Sequence, residues 1–402
     1  MSGTPDPRRL AIFMPSLTGG GAERMLLQVA AGIAERGYAV DLLLSRVKGD
    51  HDARIPPGLA PVRLAKSSDL RGRALAAVAA GAAWPGLLKP VLLPVKSSWA
   101  LRYLPALTDY LRERRPHAML AANSWPNLVA LWAQRLAAVE TRIVVSERVH
   151  LSERVTQLRR KWRWRHLPDL LHAWYPQAAA VIAVSQGVAD DLTRAADLRP
   201  GSVEAVRNPV VTPGLLAQAA EPNPDPWFAA GAPPVVLGVG RLHPQKDFPT
   251  LLRAFAQARA VRPLRLLILG EGAERAALER LAADLGVADD VRLPGFVANP
   301  FSYMARAAVF ALSSVYEGLP GVLIQAIACG CPAVSTDCPS GPAEILEGLG
   351  PLVPVGDAPA LAAAILRTLD APPDRAQLRC RGLDFAADPA IERYLSIMLG
   401  RA

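Results

Sequence analysis

Short apolar segments alternate with longer helical patterns along the whole chain, and this alternation constrains the fold more than any other feature of the sequence. RLAIFMP near the start and LRLLILG in the second half are both of strand length, and each is followed by a run with helical spacing. Alternating strands and helices are typical of βαβ units, whose strands lie parallel in one sheet. We therefore predict an α/β chain built from doubly wound parallel sheets.

The alternation restarts after a proline-rich segment, EPNPDPWFAAGAPP at residues 221–234. A chain of 402 residues is too long for one ordinary core and suits two domains of about 200 residues each. We expect an N-terminal domain over residues 1–206 and a second domain over residues 207–383. For the last stretch, residues 384–402, we expect a helix, and the pattern leaves open whether it crosses back to the first domain.

The positive charge is confined to the first half of the chain. Residues 1–206 contain 28 Lys and Arg against 17 Asp and Glu, whereas the remainder contains 17 against 19. A basic domain favours anionic lipid surfaces, phosphates or nucleic acid as partners. Since no recognised nucleic-acid reading motif accompanies the charge, we do not expect a nucleic-acid partner.

No apolar run approaches the roughly 20 residues that span a bilayer, so we expect a cytoplasmic protein. Two basic segments rich in tryptophan, residues 84–99 and 159–175, are typical of peripheral binding to an anionic membrane, here the inner face of the cell membrane. The alternative is that their apolar residues pack on the sheet and their charges are solvated. Three of the four cysteines, Cys329, Cys331 and Cys338, have no histidine nearby, which favours buried thiols over a metal site.

Ligands of open α/β sheets bind beyond the carboxyl ends of the strands, so motifs placed there have the most weight. SLTGGGAER at residues 16–24 follows the first strand, and its glycines and helix N-terminus suit an anion, although a tight turn without a ligand stays open. GVGRLHPQKDF at residues 238–248 presents Arg241 and Lys246. The planar guanidinium of the arginine and the ammonium charge of the lysine suit a diphosphate. Two solvated surface charges are the alternative there.

Two more motifs follow later strands. In LGEGAER, Gly270 and Gly272 leave room for a nucleotide. In YEGLPGVLIQAIACG at residues 316–330, Glu317 precedes a turn whose Pro320 suits the start of a helix, and the backbone N–H groups around Gly318 suit a phosphate or a sugar.

Together, GRLHPQKDF, LGEGAER, PGFVANP and the long segment from SSVYEGLPG to PAEIL resemble the donor domain of the retaining glycosyltransferases of family 4. GGGAER, AVSQGVADDL and RNPVV are similar to the N-domain glycine loop, the domain-end helix and the hinge of that family. The resemblance implies the GT-B fold, in which two Rossmann-like domains face each other across a cleft. It also implies transfer of a sugar from a nucleotide diphosphate sugar with retention of the anomeric configuration.

The resemblance assigns roles to individual residues. Arg241, Lys246 and Glu317 correspond to the catalytic set, with the two cations on the donor diphosphate and the acid beside the donor sugar. Glu147 and Arg148, with Gly19, are acceptor candidates, and ordinary loop salt-bridging is the alternative for the first two. The donor-binding residues that the resemblance implies are Gly20, Gly21, Asn208, Gly240, Arg241, Lys246, Gly270, Gly272, Phe296, Val297, Glu317, Gly318, Leu319, Pro320 and Gln325.

Gln325 departs from the family, which has a second glutamate eight residues after the first, reaching the ribose hydroxyls. An amide offers one acceptor oxygen and an NH₂ donor where a carboxylate accepts from both hydroxyls of a diol. We expect a change in nucleotide binding of about 1 kcal/mol, the net worth of a typical hydrogen bond, and no loss of activity.

The sequence thus predicts a retaining transferase that uses a nucleotide sugar, with UDP favoured, and a lipid-linked acceptor at a membrane. The resemblance favours front-face substitution with no metal or other cofactor, because Arg241 and Lys246 stabilise the leaving diphosphate. A soluble transferase acting on a small molecule and a nucleotide-sugar binding protein without turnover are the alternatives.

Overall fold

A computed structural model describes residues 6–14, 20–45, 55–56 and 58–401. The chain divides into two compact units, the first made of Met1–Pro209 with Asp388–Ala402 and the second of Val210–Ala387. Each unit contains one parallel sheet whose strands are connected by helices. The prediction of an α/β chain with two doubly wound parallel sheets is therefore confirmed.

The sheet of the first unit has the strand order β3-β2-β1-β4-β5-β6-β7. Its interior strand β1 is apolar on both faces from residue 10 to residue 14, as expected where helices cover a parallel sheet. The strands are β1 (Asp6–Met14), β2 (Ala39–Leu44), β3 (Ala60–Arg63), β4 (Pro116–Ala122), β5 (Arg142–Glu147), β6 (Ala180–Ala183) and β7 (Val203–Ala205).

The helices of this unit connect those strands. They are α1 (Gly21–Glu35), α2 (Asp69–Ala80), α3 (Leu104–Arg114), α4 (Ser124–Ala137), α5 (Leu151–Leu158), α6 (Trp162–Arg165), α7 (Leu167–Trp174) and α8 (Gln186–Ala195). Short 3₁₀ helices lie at Gly81–Leu87, Trp99–Tyr103 and Tyr175–Gln177, and a π-helical turn lies at Leu88–Leu92.

The second unit repeats the arrangement with the order β10-β9-β8-β11-β12-β13. Its strands are β8 (Val235–Val239), β9 (Arg265–Leu269), β10 (Val291–Gly295), β11 (Val309–Leu312), β12 (Ala333–Thr336) and β13 (Leu352–Val353). Its helices, followed by the last helix of the chain, are α9 (Pro213–Ala220), α10 (Phe248–Val261), α11 (Arg275–Asp284), α12 (Phe301–Arg306), α13 (Gly321–Ala328), α14 (Pro342–Leu346), α15 (Ala358–Asp370), α16 (Arg375–Leu383) and α17 (Ala387–Leu399). Short 3₁₀ helices lie at Pro226–Phe228, Pro244–Lys246 and Ala288–Asp290.

The last helix, α17, packs on the first unit. Ile391 of α17 lies directly over Gly32 of α1, where an added Cβ would overlap the isoleucine side chain. Arg36, just after α1, forms ion pairs with Asp388 and Glu392. Of the two packings that the sequence left open, the helix adopts the one on the first unit.

The two ends of the second unit lie side by side. Val211 N donates to Phe385 O at 3.0 Å, and Ala387 N donates to Val211 O at 2.8 Å. These backbone hydrogen bonds join the segment that enters the unit to the segment that leaves it.

One helical run, Asp69–Leu92, is long and apolar enough by length and composition to cross a bilayer, a feature that the sequence analysis did not anticipate. It consists of α2, a 3₁₀ helix and the π-helical turn. One side of the run is packed in the first unit, where an added Cβ at Gly72 would overlap the backbone carbonyl of Leu101. The other side carries exposed apolar residues such as Leu70 and Val78.

In both sheets the strand order reverses beside the first strand of the unit, between β1 and β4 and between β8 and β11. Such switch points open a crevice at the carboxyl edge, where doubly wound folds bind their ligands. Residues 15–19, which follow β1, lie outside the described residues. The loops that follow β8 and β11 are described in full.

The loops after β8 and β9 touch backbone to backbone. An added Cβ at Gly270 would overlap the carbonyl oxygen of Gly240, and one at Gly272 would overlap that of Leu242. Gly270 also has a φ of 140°, which side-chain-bearing residues rarely adopt. Leu242 N donates to Glu271 O at 2.9 Å, so the two loops form one layer.

Replacing Gly272 by alanine should destabilise the second unit, because the new methyl group forces two hydrogen-bonded loops apart. We expect a cost of about 3 kcal/mol, the upper end for overpacking, and a melting temperature lower by roughly 5–10 °C in a thermal unfolding scan.

The matched control is Gly214→Ala in α9, where the nearest neighbouring atom lies 3.9 Å from an added Cβ. That variant should melt at the parent temperature or slightly above it, because alanine favours helix over glycine. Equal melting temperatures for the two variants would contradict the close approach of the loops.

Candidate functional site

The loops after β8 and β11 meet at the switch point of the second sheet. Val315 N donates to Gln245 O at 2.9 Å, and Gln245 Nε2 donates back to Tyr316 O at 3.0 Å. Ser313 Oγ adds a third link by donating to Lys246 O at 2.8 Å. Three hydrogen bonds thus fix one loop against the other, although about 70 residues separate them in sequence.

Lys246 and Glu317 form an ion pair at this junction. Lys246 Nζ lies 2.5 Å from Glu317 Oε1, and the two side chains are only 16% and 10% exposed. Ser314 Oγ donates to the same carboxylate oxygen at 2.7 Å. A charge-assisted bond in a partly buried site is stronger than a surface pair, and removing one partner leaves the other charge uncompensated.

The predicted cations of the motif GRLHPQKDF differ in their surroundings. Lys246 is engaged by Glu317, whereas Arg241 is exposed and has no carboxylate within 4.0 Å among the described residues. Gly240 lies beneath the lysine, where an added Cβ would be 3.3 Å from Lys246 Cε. The glycine therefore lets the lysine stem lie over the backbone.

Gly270 and Gly272, which were expected to leave room for a nucleotide, lie against the backbone of the neighbouring loop. The space that their missing side chains leave is occupied by the backbone of the neighbouring loop. Their role in this structure is to let the loops after β8 and β9 approach each other. Glu271 between them binds Arg275 through two hydrogen bonds, and this partner lowers the pKa of the carboxyl.

The start of α13 lies beside the ion pair in sequence and is enclosed. Gly318, Leu319 and Pro320 are buried, and a Cβ at Gly341 would lie 2.5 Å from Pro320 Cδ. Gln325, one turn further along α13, is half-buried, and its amide has no hydrogen-bond partner in the part of the chain that the structure describes.

The predicted base-binding loop follows β10. Phe296 is 70% exposed there, and Val297 is half-buried. These exposures leave the aromatic ring at the surface of the unit. That Phe296 and Val297 contact a nucleotide base stays a prediction.

The three clustered cysteines are buried and free, as expected from the sequence. Burial raises the pKa of the Cys338 thiol to about 12, and the nearby charge of Glu317 acts in the same direction. Burial likewise raises the pKa of Cys329 and Cys331 to about 12. A protonated thiol is a poor metal ligand, so the cluster has the properties of apolar core residues.

Glu147, an acceptor candidate, ends β5 and is buried within the first unit. Its carboxylate accepts hydrogen bonds from Tyr175 Oη, from Ser124 Oγ at 3.0 Å and from Asn127 Nδ2 at 3.3 Å. None of these donors carries a charge. Burial therefore raises the pKa of Glu147 to about 7 despite the hydrogen bonds, and the charge of Asp191 contributes in the same direction.

Arg148, the next residue, is buried in different surroundings. Its Nη2 donates to Asn208 Oδ1 at 2.5 Å, and its Nη1 lies 3.4 Å from both Ser146 Oγ and Tyr394 Oη. The structure thus brings together two predicted site residues, Arg148 and Asn208, and joins them to α17. Neither Glu147 nor Arg148 forms a salt bridge with another described residue, and that they contact an acceptor stays a prediction.

The predicted glycine loop is described only in part. Gly19 lies outside the described residues. Gly20 precedes α1, and its N–H donates to Glu23 Oε2 at 3.0 Å. Gly21 begins α1, and no atom of the described residues lies within 4 Å of an added Cβ there.

Sequence reasoning missed the neutral partners of the two acids. Ser314 flanks the motif of Glu317 and has no sequence signal of its own, and the same holds for Ser124, Asn127 and Tyr175. Tyr175 stood inside a segment interpreted as basic and aromatic, and Ser124 and Asn127 gave no signal beyond their position after a strand. Their contacts with Glu147 join residues 20 or more positions apart, which no local pattern indicates.

The raised pKa of Glu147 predicts a pH-dependent stability. Between about pH 4.3 and pH 7 the folded protein holds a proton on Glu147 that the unfolded chain releases, so the free energy of unfolding falls as pH rises through this window. Glu147→Gln abolishes this titration. Relative to the parent, the variant should therefore gain about 3 kcal/mol of stability between pH 4.5 and pH 8, measured by urea unfolding.

Glu140→Gln is the matched control, because Glu140 is an exposed carboxylate that precedes the same strand. Its free energy of unfolding, measured in the same buffers, is the reference for the removal of one exposed carboxylate. A pH-independent difference between the parent and Glu147→Gln would show that Glu147 titrates like a solvated acid.

Two family models match the chain and together span most of it. The model described as Glycosyltransferase Family 4 matches residues 19–212, and the model described as Glycosyl transferases group 1 matches residues 233–371. The two matches fall on the first and the second unit, respectively.

Relatives and solved structures agree with these matches. The chain is 29% identical over 338 residues to the N-acetylgalactosamine-N,N'-diacetylbacillosaminyl-diphospho-undecaprenol 4-alpha-N-acetylgalactosaminyltransferase of Campylobacter jejuni. The match covers 84% of this chain and 83% of that relative. It is also 29% identical over 272 residues to the lipopolysaccharide core biosynthesis glycosyltransferase LpsE of Rhizobium meliloti. That match covers 59% of this chain and 77% of LpsE.

Among solved structures, HepE of Anabaena in complex with UDP and glucose superposes with a TM-score of 0.73 over 98% of this chain and 100% of that one, at 19% identity. A likeness at this identity concerns the fold. With the two family matches and the two Rossmann-like sheets, these findings show that the chain belongs to the glycosyltransferases of group 1 and family 4 and has the GT-B fold.

Proposed function

We propose that this glycosyltransferase transfers a sugar from a UDP-sugar to a lipid-linked acceptor in polysaccharide or glycolipid assembly, with retention of the anomeric configuration. The observation that carries the proposal is the ion pair of Lys246 with Glu317 at the switch point of the second sheet, in a unit that also presents the exposed Arg241. This edge is where doubly wound folds bind nucleotides.

The two cations suit the diphosphate of the donor. Arg241 offers a planar guanidinium that can bind two phosphate oxygens, and Lys246 offers a point charge fixed by Glu317 and by the loop hydrogen bonds. Preorganised charges of this kind stabilise the negative charge that develops on a departing diphosphate. That HepE of Anabaena was solved with UDP supports a uridine nucleotide as the donor.

The reaction proposed is a front-face substitution. The bond from the anomeric carbon to the diphosphate oxygen breaks, the acceptor oxygen bonds to the same face of that carbon, and the leaving phosphate oxygen takes the acceptor's proton. Glu317 then has two roles, to hold Lys246 and to accept a hydrogen bond from the donor sugar. Because Arg241 and Lys246 supply the positive charge, the proposal requires no divalent metal.

The acceptor is proposed from the relatives and from charge. The name of the Campylobacter jejuni relative contains a diphospho-undecaprenol group, and LpsE of Rhizobium meliloti is named for lipopolysaccharide core biosynthesis. The surplus of Lys and Arg in residues 1–206 suits an acceptor with a phosphate or diphosphate group. We place the enzyme in the cytoplasm, on the inner face of the cell membrane.

The proposal predicts the outcome of a donor panel. UDP and UDP-sugars should raise the melting temperature of the protein more than GDP- and ADP-sugars do, because a specific ligand stabilises the native state. Transfer to a polyprenyl-diphosphate sugar in detergent should proceed in EDTA, and NMR coupling constants of the product should show the anomeric configuration of the donor.

Lys246→Met should lower kcat at least 100-fold, in the range found when one preorganised group that stabilises a transition-state charge is removed. Arg253→Met, an exposed cation on α10 of the same unit, should leave kcat unchanged. Binding of UDP-sugars without any transfer by the parent would favour the non-catalytic alternative, and transfer only to soluble sugars would favour the small-molecule alternative.

Gln325→Glu should change the affinity for the nucleotide more than the turnover number. A carboxylate accepts from both ribose hydroxyls, so we expect KM for the donor to fall about fivefold, equivalent to roughly 1 kcal/mol, with kcat within a factor of two. Gln325→Leu, which removes both hydrogen-bonding atoms, should raise KM. A large rise in kcat with unchanged donor affinity would show that residue 325 does not contact the ribose.

A further inference from the structure

A group of apolar side chains on the first unit points into solvent beside a cavity. We name it the apolar tip and define it as Leu93, Val95 and Trp162, which are 60%, 96% and 50% exposed. Together with Pro94, Lys96, Lys161 and Arg163, these residues line a cavity of about 600 Å³. Exposed clusters of large apolar residues are uncommon on soluble proteins and mark binding surfaces.

The loop that carries the tip is held in place by two arginines. Arg73 of α2 donates to Leu92 O at 2.9 Å, and Arg163 of α6 donates to Lys96 O at 3.0 Å and to Ser97 O at 3.2 Å. Asp69 in turn binds both Arg73 and the hydroxyl of Ser97. The exposure of Leu93 and Val95 is therefore imposed by a hydrogen-bonded scaffold.

Positive charge surrounds the tip. The segment RRKWRWR at residues 159–165 contains five cations and no acid, and Lys96 also lines the cavity. Lys96 and Lys161 are both exposed, and no carboxylate lines the cavity. Apolar side chains within a ring of lysine and arginine are complementary to anionic headgroups above a hydrocarbon layer.

The apolar surface continues along the helical run Asp69–Leu92. Its 3₁₀ segment exposes every residue from 81 to 86, among them Trp84 at 47%, and α2 exposes Leu70 at 78% and Val78 at 67%. Because α6 packs against the π-helical turn Leu88–Leu92, this surface and the tip are neighbours. Tryptophan is the residue most typical of the boundary between headgroups and hydrocarbon.

Topology places the tip on the functional side of the first sheet. The helix α3 ends at Arg114 and β4 begins at Pro116, so α3 runs from the carboxyl edge of the sheet to the amino edge, and the loop before α3 lies at the carboxyl edge. The segment of α5 and α6 follows the carboxyl end of β5. A membrane bound by the tip would thus lie at the edge where this sheet binds ligands.

We infer that the apolar tip inserts into the headgroup region of an anionic bilayer while Lys96 and Lys161 contact lipid phosphates. The inference rests on the proposed lipid-linked acceptor, since it states how the enzyme reaches a substrate that stays in the membrane. It assigns to five residues a membrane contact that the sequence ascribed to two whole segments. In those segments Leu87, Val91, Leu167 and Leu170 are core residues instead.

Vesicle sedimentation tests the inference. The parent should bind vesicles with 30% phosphatidylglycerol much better than vesicles of pure phosphatidylcholine. Lys96→Gln with Lys161→Gln should lower the partition coefficient roughly 30-fold at low salt, from about 1 kcal/mol per lysine. In 0.5 M salt this variant should match the parent, because the lysine contribution is screened. Leu93→Ser with Val95→Ser and Trp162→Ser should lower binding more than 10-fold at both salt concentrations.

The matched control is Arg253→Gln with Arg280→Gln, which removes two exposed cations from the second unit and should bind vesicles like the parent. Every variant should keep the UDP-induced rise in melting temperature and the transfer to an acceptor in detergent, which reports on the proposed function separately. A parent that transfers sugar in detergent but does not bind anionic vesicles would overturn the inference alone.

Two further outcomes would also overturn the inference. Binding to phosphatidylcholine vesicles that depends on 1% polyprenyl diphosphate, with no response to phosphatidylglycerol, would identify the cavity as a discrete site for the acceptor. Self-association in the absence of vesicles, abolished by the three serine substitutions, would identify the tip as a contact between copies of the chain.

Discussion

The contact between Lys246 and Glu317 is the interaction on which the second unit's chemistry depends. The two residues stand 71 positions apart, yet β8 and β11 are neighbours in the sheet, so the loops that follow them emerge side by side. The ion pair and the three hydrogen bonds between the loops hold the side chain of Lys246 in a fixed position. In the proposed reaction, a charge fixed before the substrate binds needs no reorganisation when the diphosphate departs.

The two units use buried acids in opposite ways, although their first strands occupy the same place in their sheets. Glu317 has a cationic partner, Lys246. Glu147 has only neutral donors, and burial raises its pKa to about 7. The network of Glu147, Tyr175 and Asn127 joins β5, α4 and the segment after α7, so its contribution lies in the architecture of the first unit.

Much of the fold could be predicted from the sequence, because strand and helix periods are local. The charged motifs of the candidate site could also be located, because they follow strands directly. The pairing of Lys246 with Glu317 could not be predicted, since it depends on which strands are adjacent. Gly270 and Gly272 show the same limit. A glycine pattern indicates close approach of a backbone, but only the folded chain shows that the neighbouring loop fills the space beside these two glycines.

The backbone hydrogen bonds between Val211 and residues 385 and 387 make the second unit an insertion within the first. A ribosome therefore releases the second unit complete before it has released α17, which the first unit needs to cover Gly32 of α1. The first unit therefore begins to be synthesised before the second unit but receives its helix α17 after it. During synthesis the second unit can fold while the first unit still lacks α17.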